Sequence, residues 1–452
     1  MSDSFTKSAS IPPKATGAFI GGHFLKFRHN PTKFLTELAA KGDVTTFRMF
    51  DQKIFLLTNP EYVRDVLTTS NSKFEKGRAL RRAKIVLGEG LLTSEGDEHL
   101  RRRRMIQPAF HRQKIEIYSR AMIEVVCKLR DSWKAGNVYD IDREMMRLTL
   151  QIVGKTLFSI DVESDTEEVG KAMTDLIASF NFLLIPYSEL IERLPLKAAR
   201  RSKNAREKLD SIIYKYIVER RNSGVAKDDL LSMLIAAQDE DTGSEMTDKQ
   251  VHDEALTLFI AGHETTAVAL TYVWYLLSTN ASAAEKLFNE LDEVLENREP
   301  GFEDLPKLKY TEAVFAETLR LFPPAWAFSR LCTAPHSFAG FEVIEGNAVM
   351  LSPYVTHRDK RFWTHADEFL PERWFKKSVK EAGQEFIYFP FSRGVRSCIG
   401  EGFAWTEGIL TIAAIARKLK LEFLPNQKFA LDPLVTLRPK YSVKMRITNR
   451  QK

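Results

Sequence analysis

One segment of this chain constrains its fold more than any other. Residues Ala255–Leu277 are apolar almost all round a helix, and they lie within a longer helical pattern that spans Thr247–Ser278. Such a helix either crosses a bilayer or runs through the centre of a large core. The polar tetrad His263–Thr266 lies at its middle, where a carboxylate in a bilayer would be costly. We therefore expect a core helix, opened by a capping box of Thr247 and Gln250, that carries polar groups to a buried site.

The rest of the chain predicts a mainly α protein with smaller β regions, the α+β fold class. β-branched and aromatic residues over Val44–Phe50 and Lys53–Thr58 predict a β-hairpin. Amphipathic patterns predict helices over most of residues 97–278, and a further helix is predicted over Gly402–Lys418. No linker is long enough to separate independent domains. We therefore expect one domain over residues 1–452, with a β-rich N-terminal part to about residue 75 and a helical body over 76–452.

The composition excludes several classes of protein. The net charge of +6 is mild for 452 residues, and no broad basic stripe or reader module indicates nucleic-acid binding. Three cysteines without a C-x-x-C pair predict neither a disulfide scaffold nor a structural zinc site. They favour a reducing compartment, the cytoplasm. The N-terminus lacks the pattern of a signal peptide, and we expect no transmembrane segment.

The most informative stretch is the loop Phe391–Gly400, which precedes the last predicted helix. Cys398 lies where a helix N-terminus and backbone N–H groups would favour the thiolate, the form that binds a soft metal. Gly394 permits a tight turn, Gly400 lets a flat ligand approach the backbone, and Arg396 is placed to pair with an anionic group of that ligand. The residues alone leave two alternatives open, a buried structural cysteine and a nucleophile, for which no histidine base is apparent.

This loop resembles the haem-binding signature of the cytochrome P-450 family, F-x-x-G-x-R-x-C-x-G, and matches it at every fixed position. The resemblance implies that Cys398 is the axial ligand of a haem b iron, with its thiolate favouring O–O cleavage. It also implies that Arg396 pairs with a haem propionate and that Phe391 packs beside the sulfur. It covers nearly the whole chain, with the motifs in family order.

The tetrad of the central helix belongs to a second matching motif. Ala261-Gly262-His263-Glu264-Thr265-Thr266 resembles the family's A-G-x-[DE]-T-T segment. The resemblance places Ala261 against the haem and makes Glu264 and Thr265 an acid–alcohol pair, which with ordered water relays protons to bound oxygen. Gly262 costs about 1 kcal/mol in mid-helix, a cost that a ligand close to the backbone would offset.

Three charged residues match motifs that support the cysteine loop. Glu317 and Arg320 fit the family's E-x-x-R, a spacing that is common on solvated helices, but Leu321–Pro324 follow them as in the family. Arg373 lies in the downstream Pro-Glu-Arg-Trp motif, where the family commonly has Phe in place of Trp374. The resemblance implies a buried structural triad of Glu317, Arg320 and Arg373.

Further cations are implied to bind the haem or to face a partner. His99 and Arg103 occupy the family's W-x-x-x-R positions, with His in place of Trp, and both would contact propionates, as would Arg330. Three more arginines are expected near the proximal surface, where they would attract an acidic electron donor. These are Arg101, Arg102 and Arg104.

The residues expected around the substrate are mostly apolar, which predicts a fatty acid, a terpene or a steroid-like compound. Two more, Phe180 and Phe182, belong to a predicted lid. The expected pocket residues are Phe259, Ile260, Ala325, Trp326, Ala327, Phe328 and Leu437.

The resemblance implies a haem-thiolate monooxygenase of the soluble bacterial type, which inserts one oxygen atom from O₂ into its substrate. No flavin or ferredoxin module follows the cysteine loop. We therefore expect a monomer that receives electrons from a separate ferredoxin or flavodoxin with its reductase. Two alternatives stay open: a peroxygenase or isomerase that does not use O₂, against which Glu264 and Thr265 argue, and a non-catalytic haem binder such as a gas sensor.

Overall fold

The structure, a computed structural model, describes residues 12–16, 21–159, 166–183, 197–224, 227–238 and 243–450. The chain forms two compact units, each built from three segments. The smaller unit consists of Met1–Arg78, Trp326–Asp367 and Val379–Ser397, and the larger unit of Ala79–Ala325, Glu368–Ser378 and Cys398–Lys452. The β-rich part therefore takes in segments well beyond residue 75, and the single domain expected over residues 1–452 stays a prediction.

The smaller unit is organised by a five-stranded sheet. Its strands are β1 (Val44–Met49), β2 (Gln52–Leu57), β3 (Phe74–Lys76), β5 (Phe328–Cys332) and β8 (Ala348–Leu351), and a separate hairpin consists of β6 (His336–Phe338) and β7 (Phe341–Val343). The order in the sheet is β1-β2-β8-β5-β3. The predicted hairpin is confirmed, with Val44 of β1 opposite Leu57 of β2 in antiparallel register. Buried apolar residues such as Phe55, Phe74 and Phe389 form the core. The helices are α1 (Phe24–His29), α2 (Pro31–Ala39), α3 (Pro60–Arg64), α14 (Pro353–Thr356) and α16 (Val379–Gln384).

The larger unit is mainly helical, as the amphipathic patterns predict. Its helices are α4 (Arg78–Leu87), α5 (Gly96–Ile106), α6 (Arg112–Ser132), α7 (Ile141–Leu157), α8 (Thr166–Leu183), α9 (Lys197–Ser223), α10 (Leu230–Ala236), α11 (Asp248–Thr279), α12 (Ala281–Leu295), α13 (Lys309–Leu321), α15 (Arg373–Lys376) and α17 (Glu401–Ala416). Strands β4 (Val138–Asp140), β12 (Lys444–Asn449) and β9 (Leu419–Phe423) form one sheet, and β10 (Leu431–Pro433) pairs with β11 (Leu437–Pro439).

Helix α11 is the expected core helix. The capping box of Thr247 and Gln250 is confirmed, and most residues of the helix are buried on all sides. In the described part of the chain, no helix is long and apolar enough to cross a membrane. The space beside Gly262 is occupied by protein, because a Cβ added there would lie 3.2 Å from Val153 Cγ2 of α7. Close packing of α11 on α7 therefore favours a glycine at this position.

Candidate active site

The polar middle of α11 has one accessible face. Ala261 is exposed and Thr265 is partly exposed, whereas His263, Glu264 and Thr266 are buried. Residues four apart share a helix face, so Ala261 and Thr265 line the same surface. The Thr265 hydroxyl donates a hydrogen bond of 2.7 Å to the Ala261 carbonyl. The hydroxyl oxygen is therefore left on this face as an acceptor.

Glu264, the predicted acid beside Thr265, is tied to the turn and strand that follow β10. Its Oε1 lies 2.5 Å from Arg438 Nε and also accepts a hydrogen bond from the Thr436 hydroxyl. The Glu264 side chain is almost fully buried. Burial, with a smaller contribution from Arg438, lowers the pKa of the neighbouring His263 to about 4, so that this imidazole is neutral at pH 7. The structure therefore separates the acid from the accessible face that carries the alcohol.

Cys398 precedes α17 by three residues, and its side chain is accessible even though much of the protein surrounds it. That surrounding protein raises the pKa of the thiol to about 11, while the Gly400 N–H and the Arg103 guanidinium act in the opposite direction. The expected stabilisation of the thiolate is present but is outweighed by burial. A Cβ added at Gly400 would lie 4.0 Å from Sγ, at ordinary van der Waals distance.

The first part of the cysteine loop belongs to the smaller unit. Gly394 has a φ of +75°, and a Cβ there would lie 2.0 Å from the Leu67 carbonyl oxygen, so the turn needs glycine. Arg396 donates a hydrogen bond of 2.8 Å to the Phe74 carbonyl, and Phe391 is partly buried. Arg330 is buried on β5, with its guanidinium 5.1 Å from the centre of the Phe328 ring.

Helix α5 carries those residues of the larger unit that were predicted to bind the haem propionates or to face an electron donor. His99 is buried, and Arg103 is partly buried next to Cys398, where desolvation lowers the pKa of its guanidinium. The prediction that Arg102 faces a partner is wrong. Its guanidinium is buried and forms ion pairs with Glu254 at 2.8 Å and Glu98 at 2.6 Å. The run of four arginines covers more than one full turn of helix, so one of them has to point inward. Arg104 is exposed, and Arg101 is partly buried and donates to Ser244.

Glu317, Arg320 and Arg373 are brought together in the larger unit. Arg320 donates to both Glu317 carboxylate oxygens at 2.9 Å, and Arg373 Nε donates to Oε1 at 2.9 Å. Trp374, the departure from the family pattern, donates its indole N–H to Oε2 at 3.0 Å. The Leu370 N–H completes the set at 3.0 Å. A fully buried carboxylate thus receives five hydrogen bonds, which connect α13 with the segment before and within α15.

The predicted pocket residues belong to both units, and their common pocket stays a prediction. Ala325 is exposed in the larger unit, while Trp326, Ala327 and Phe328 belong to the smaller unit. Ile260 and Leu437 are buried. Phe259 packs on Phe158, with ring centres 5.4 Å apart, and lines a small apolar cavity among α7, α8, α9, α10 and α11. The side chains of Phe180 and Phe182 lie outside the described residues.

Glu407 and His252 are among the buried titratable groups that the sequence did not indicate. Glu407 on α17 is fully buried, and burial raises the pKa of its carboxyl to about 8. The sequence shows that Glu407 lies nine residues after Cys398, but no local pattern indicates that it is buried. His252 lies between two aspartates, one of which, Asp210, is distant in sequence. No local pattern could have paired them.

The residues of the larger unit fit a haem. An accessible thiol is the ligand type that a haem-thiolate iron requires, Arg103 lies beside it, and Ala261 and Thr265 form an accessible helix face. Arg103 also supplies a positive charge suited to a propionate.

Comparison with known proteins agrees with this fit. Cyclooctatin synthase of Streptomyces melanosporofaciens is 38% identical over 424 residues, 93% of this chain and 92% of the relative. Cyclooctat-9-en-7-ol 5-monooxygenase of the same organism is 34% identical over 429 residues, 93% of each chain. Pentalenene oxygenase of Streptomyces avermitilis is 33% identical over 435 residues, 95% of each chain. The profile of the family described as cytochrome P-450 matches residues 12–445. The chain therefore belongs to the cytochrome P-450 family and is a haem-dependent monooxygenase.

Proposed function

We propose that this enzyme hydroxylates a terpenoid, a cyclic hydrocarbon or alcohol with few polar groups. Two relatives are named for an alkene, pentalenene, and an unsaturated alcohol, cyclooctat-9-en-7-ol, and each alignment covers more than nine-tenths of both chains. The observation that carries the chemistry is the accessible Cys398 thiol beside Arg103 at the start of α17. Because these two relatives are named for such compounds, we favour terpenes over fatty acids and steroids among the substrate classes expected from the sequence.

We assign the axial ligand of the haem to Cys398. Haem, when bound, supplies the iron at which O₂ is activated for insertion of one oxygen atom into a C–H bond. Because burial raises the pKa of the Cys398 thiol to about 11, ligation has to displace the thiol proton. The Gly400 N–H and the Arg103 guanidinium then stabilise the negative sulfur. We assign Arg103 and His99 to the propionates, and Arg396 and Arg330 keep the same predicted role.

Thr265 is the residue that we propose to hold a proton on the accessible face of α11. Its hydrogen points to the Ala261 carbonyl, so its oxygen is free to accept a hydrogen bond from a protonated neighbour on this face. To pass a proton on, the hydroxyl has to rotate away from that carbonyl. The Thr265 hydroxyl thus acts as an acceptor first and as a donor only after it has moved.

Glu264 has a more distant role in the proposal. Its carboxylate is held by Arg438 and Thr436, so it exchanges protons with the accessible face of α11 only when it leaves these two partners. We propose that Glu264 collects protons from the side of the β10-β11 turn and passes them through ordered water to Thr265. The acid and the alcohol then operate in sequence.

We further propose that the enzyme is a cytoplasmic monomer that receives electrons from a ferredoxin- or flavodoxin-type protein with its reductase. Of the arginines predicted to face that donor, Arg104 is the exposed one, and Arg101 is partly accessible. An acidic donor would be attracted to them at low ionic strength.

The assignment of Cys398 is tested by spectroscopy. The haem-loaded protein, reduced and treated with carbon monoxide, should show the Soret band of a thiolate-ligated iron, and Cys398→Ser should abolish it. Cys127→Ser replaces a partly buried cysteine elsewhere in the same unit and should leave the band unchanged. A Cys398→Ser protein that retains the thiolate spectrum would disprove the assignment.

The substrate class is tested by difference absorbance. Purified haem protein is titrated with cyclic terpenes, terpene alcohols, fatty acids and steroids, and the displacement of iron-bound water is followed. We expect the tightest binding among the terpenoids, followed by a hydroxylated product when the electron-transfer proteins, NAD(P)H and O₂ are supplied. Tighter binding of a fatty acid or a steroid, with turnover, would refute the terpenoid proposal. Turnover with peroxide alone at the same rate would indicate a peroxygenase.

A further inference from the structure

A buried histidine connects two helices of the larger unit at some distance along α11 from Thr265. His252 is 3% exposed and lies between its neighbour Asp253 and Asp210 of α9. Its Nδ1 is 3.1 Å from Asp253 Oδ1, and its Nε2 is 3.0 Å from Asp210 Oδ1. The ring of Tyr214, also on α9, stacks on the imidazole with centres 4.4 Å apart and planes 11° from parallel.

The identity of these partners favours the protonated form of the ring. An ionised carboxylate only accepts hydrogen bonds, and each imidazole nitrogen faces one carboxylate oxygen. Two facing carboxylates favour the imidazolium over the neutral imidazole. The Nδ1 contact is a hydrogen bond, whereas the Nε2 contact is an ion pair without ideal alignment. The flat face of Tyr214 adds a favourable contact with the cation.

The same cluster holds a third element, the loop after α4. Asp253 Oδ2 accepts the Glu89 N–H at 2.9 Å. Gly88, with a φ of +72°, allows this approach, because a Cβ there would lie 2.3 Å from the Asp253 carboxyl carbon. The next carboxylate, Glu254, accepts the Leu91 N–H at 2.8 Å. His252 and Asp253 thus join α9, α11 and the loop 88–91.

Other charges around the ring determine how it responds to pH. Lys249 lies 2.6 Å from Asp253 Oδ2, and Arg206 lies 3.5 Å from Asp210 Oδ2. The titratable or charged groups that face the cluster are Arg206, Asp210 and Tyr214 from α9, Asp248, Lys249 and Asp253 from α11, and Glu89 from the loop. With two carboxylates in direct contact with the ring, attraction outweighs desolvation and raises the pKa of His252 above 6.5. The pKa of Asp253 is lowered to about 2, so this carboxylate stays ionised.

We propose that His252 is a pH-dependent latch, which in its protonated form helps to hold α9 against α11 and in its neutral form weakens this contact. The Nε2 contact spans the two helices together with the stacked Tyr214 ring and the ion pair between Arg221 and Asp248 at 2.7 Å. Loss of one ring proton to solvent removes the charge that attracts Asp210. Because the folded pKa lies above the unfolded one, the latch is fully closed below about pH 6.5 and opens as the pH rises through the folded pKa. The opening equilibrium changes about tenfold for each pH unit by which the folded pKa exceeds the unfolded one.

The experiment uses the haem-loaded enzyme between pH 6 and 9. Hydrogen exchange of the amides in α9, corrected for the intrinsic effect of pH, should show increasing opening with a midpoint at the pKa of His252, measured by NMR of its ring protons. His252→Gln should remove this step, and Asp210→Asn should shift its midpoint to lower pH. His365→Gln, at an exposed histidine in the smaller unit, is the matched control and should leave the step intact.

Two outcomes would overturn the latch. One is an α9 exchange profile without a step between pH 6 and 9 in the wild-type protein. The other is a ring titration of His252 at or below 6.5. Both measurements use the wild-type enzyme, so they remain decisive even if His252→Gln folds poorly. Neither depends on the identity of the substrate.

Discussion

Arg438 Nε lies 2.5 Å from Oε1 of the buried Glu264 carboxylate. Glu264 is next in sequence to Thr265, which is more accessible. The acid of the predicted acid–alcohol pair is thus controlled by a residue more than 170 positions later in the chain. In the proposed function Glu264 would be a gated proton carrier, because the carboxylate has to exchange one partner for another before it moves a proton.

Replacing Glu264 by Gln tests this role. The amide cannot carry a proton, so we expect product formation to slow by about 10²-fold or more, within the range of general acid–base catalysis. The measurement is the rate of product formation at saturating substrate and electron donor, with Glu285→Gln, an exposed residue of α12, as the control. An unchanged rate in Glu264→Gln would show that protons arrive by another route.

The buried triad should matter for stability. Glu317→Gln leaves two arginines without their carboxylate, and removal of one partner from a buried ion pair costs about 3–5 kcal/mol. Urea unfolding of the haem-loaded protein measures this loss. Glu61→Gln is the control, since Glu61 has the same spacing to Arg64 but both are exposed, and we expect a change below about 1 kcal/mol. Equal effects of the two substitutions would contradict the structural role.

Glu407 should give stability an unusual dependence on pH. Its pKa is raised to about 8 by burial, so between pH 5 and 8 the folded protein keeps a proton that the unfolded chain loses. The free energy of unfolding therefore falls as the pH rises, by about 1.4 kcal/mol for each pH unit in this range. We expect Glu407→Gln to remove this pH-dependent loss of stability. The unfolding free energy of the variant, relative to that of the wild type, should therefore rise as the pH increases. The infrared band of a neutral carboxyl at pH 7, absent from Glu407→Gln, is an independent measurement.

The arginines of α5 should divide into two functional groups. Arg104→Glu reverses an exposed charge, and we expect slower reduction by an acidic donor protein and a weaker dependence of that rate on salt. Arg102→Gln should instead lower stability, because it breaks the buried pair with Glu254. Arg200→Glu is the surface control. A reduction rate that is the same for Arg104→Glu and the wild type would place the donor elsewhere.

Features that depend on local pattern were predictable from the amino-acid sequence. The capping box of Thr247 and Gln250, the core helix and the N-terminal hairpin follow from residue type and periodicity over short distances. The family followed from the cysteine-loop motif, because its ten positions leave few alternatives.

The contacts between residues distant in sequence became clear only in the folded chain. Folding pairs Glu264 with Arg438, buries Arg102 against Glu254, packs Gly262 against Val153, and places His252 between Asp253 and the distant Asp210. Ion pairs between distant segments have no signature in local sequence, since either partner alone looks like an ordinary surface charge. Burial then determines the result, because desolvation and a neighbouring charge act on a titratable group only after the chain has folded around it.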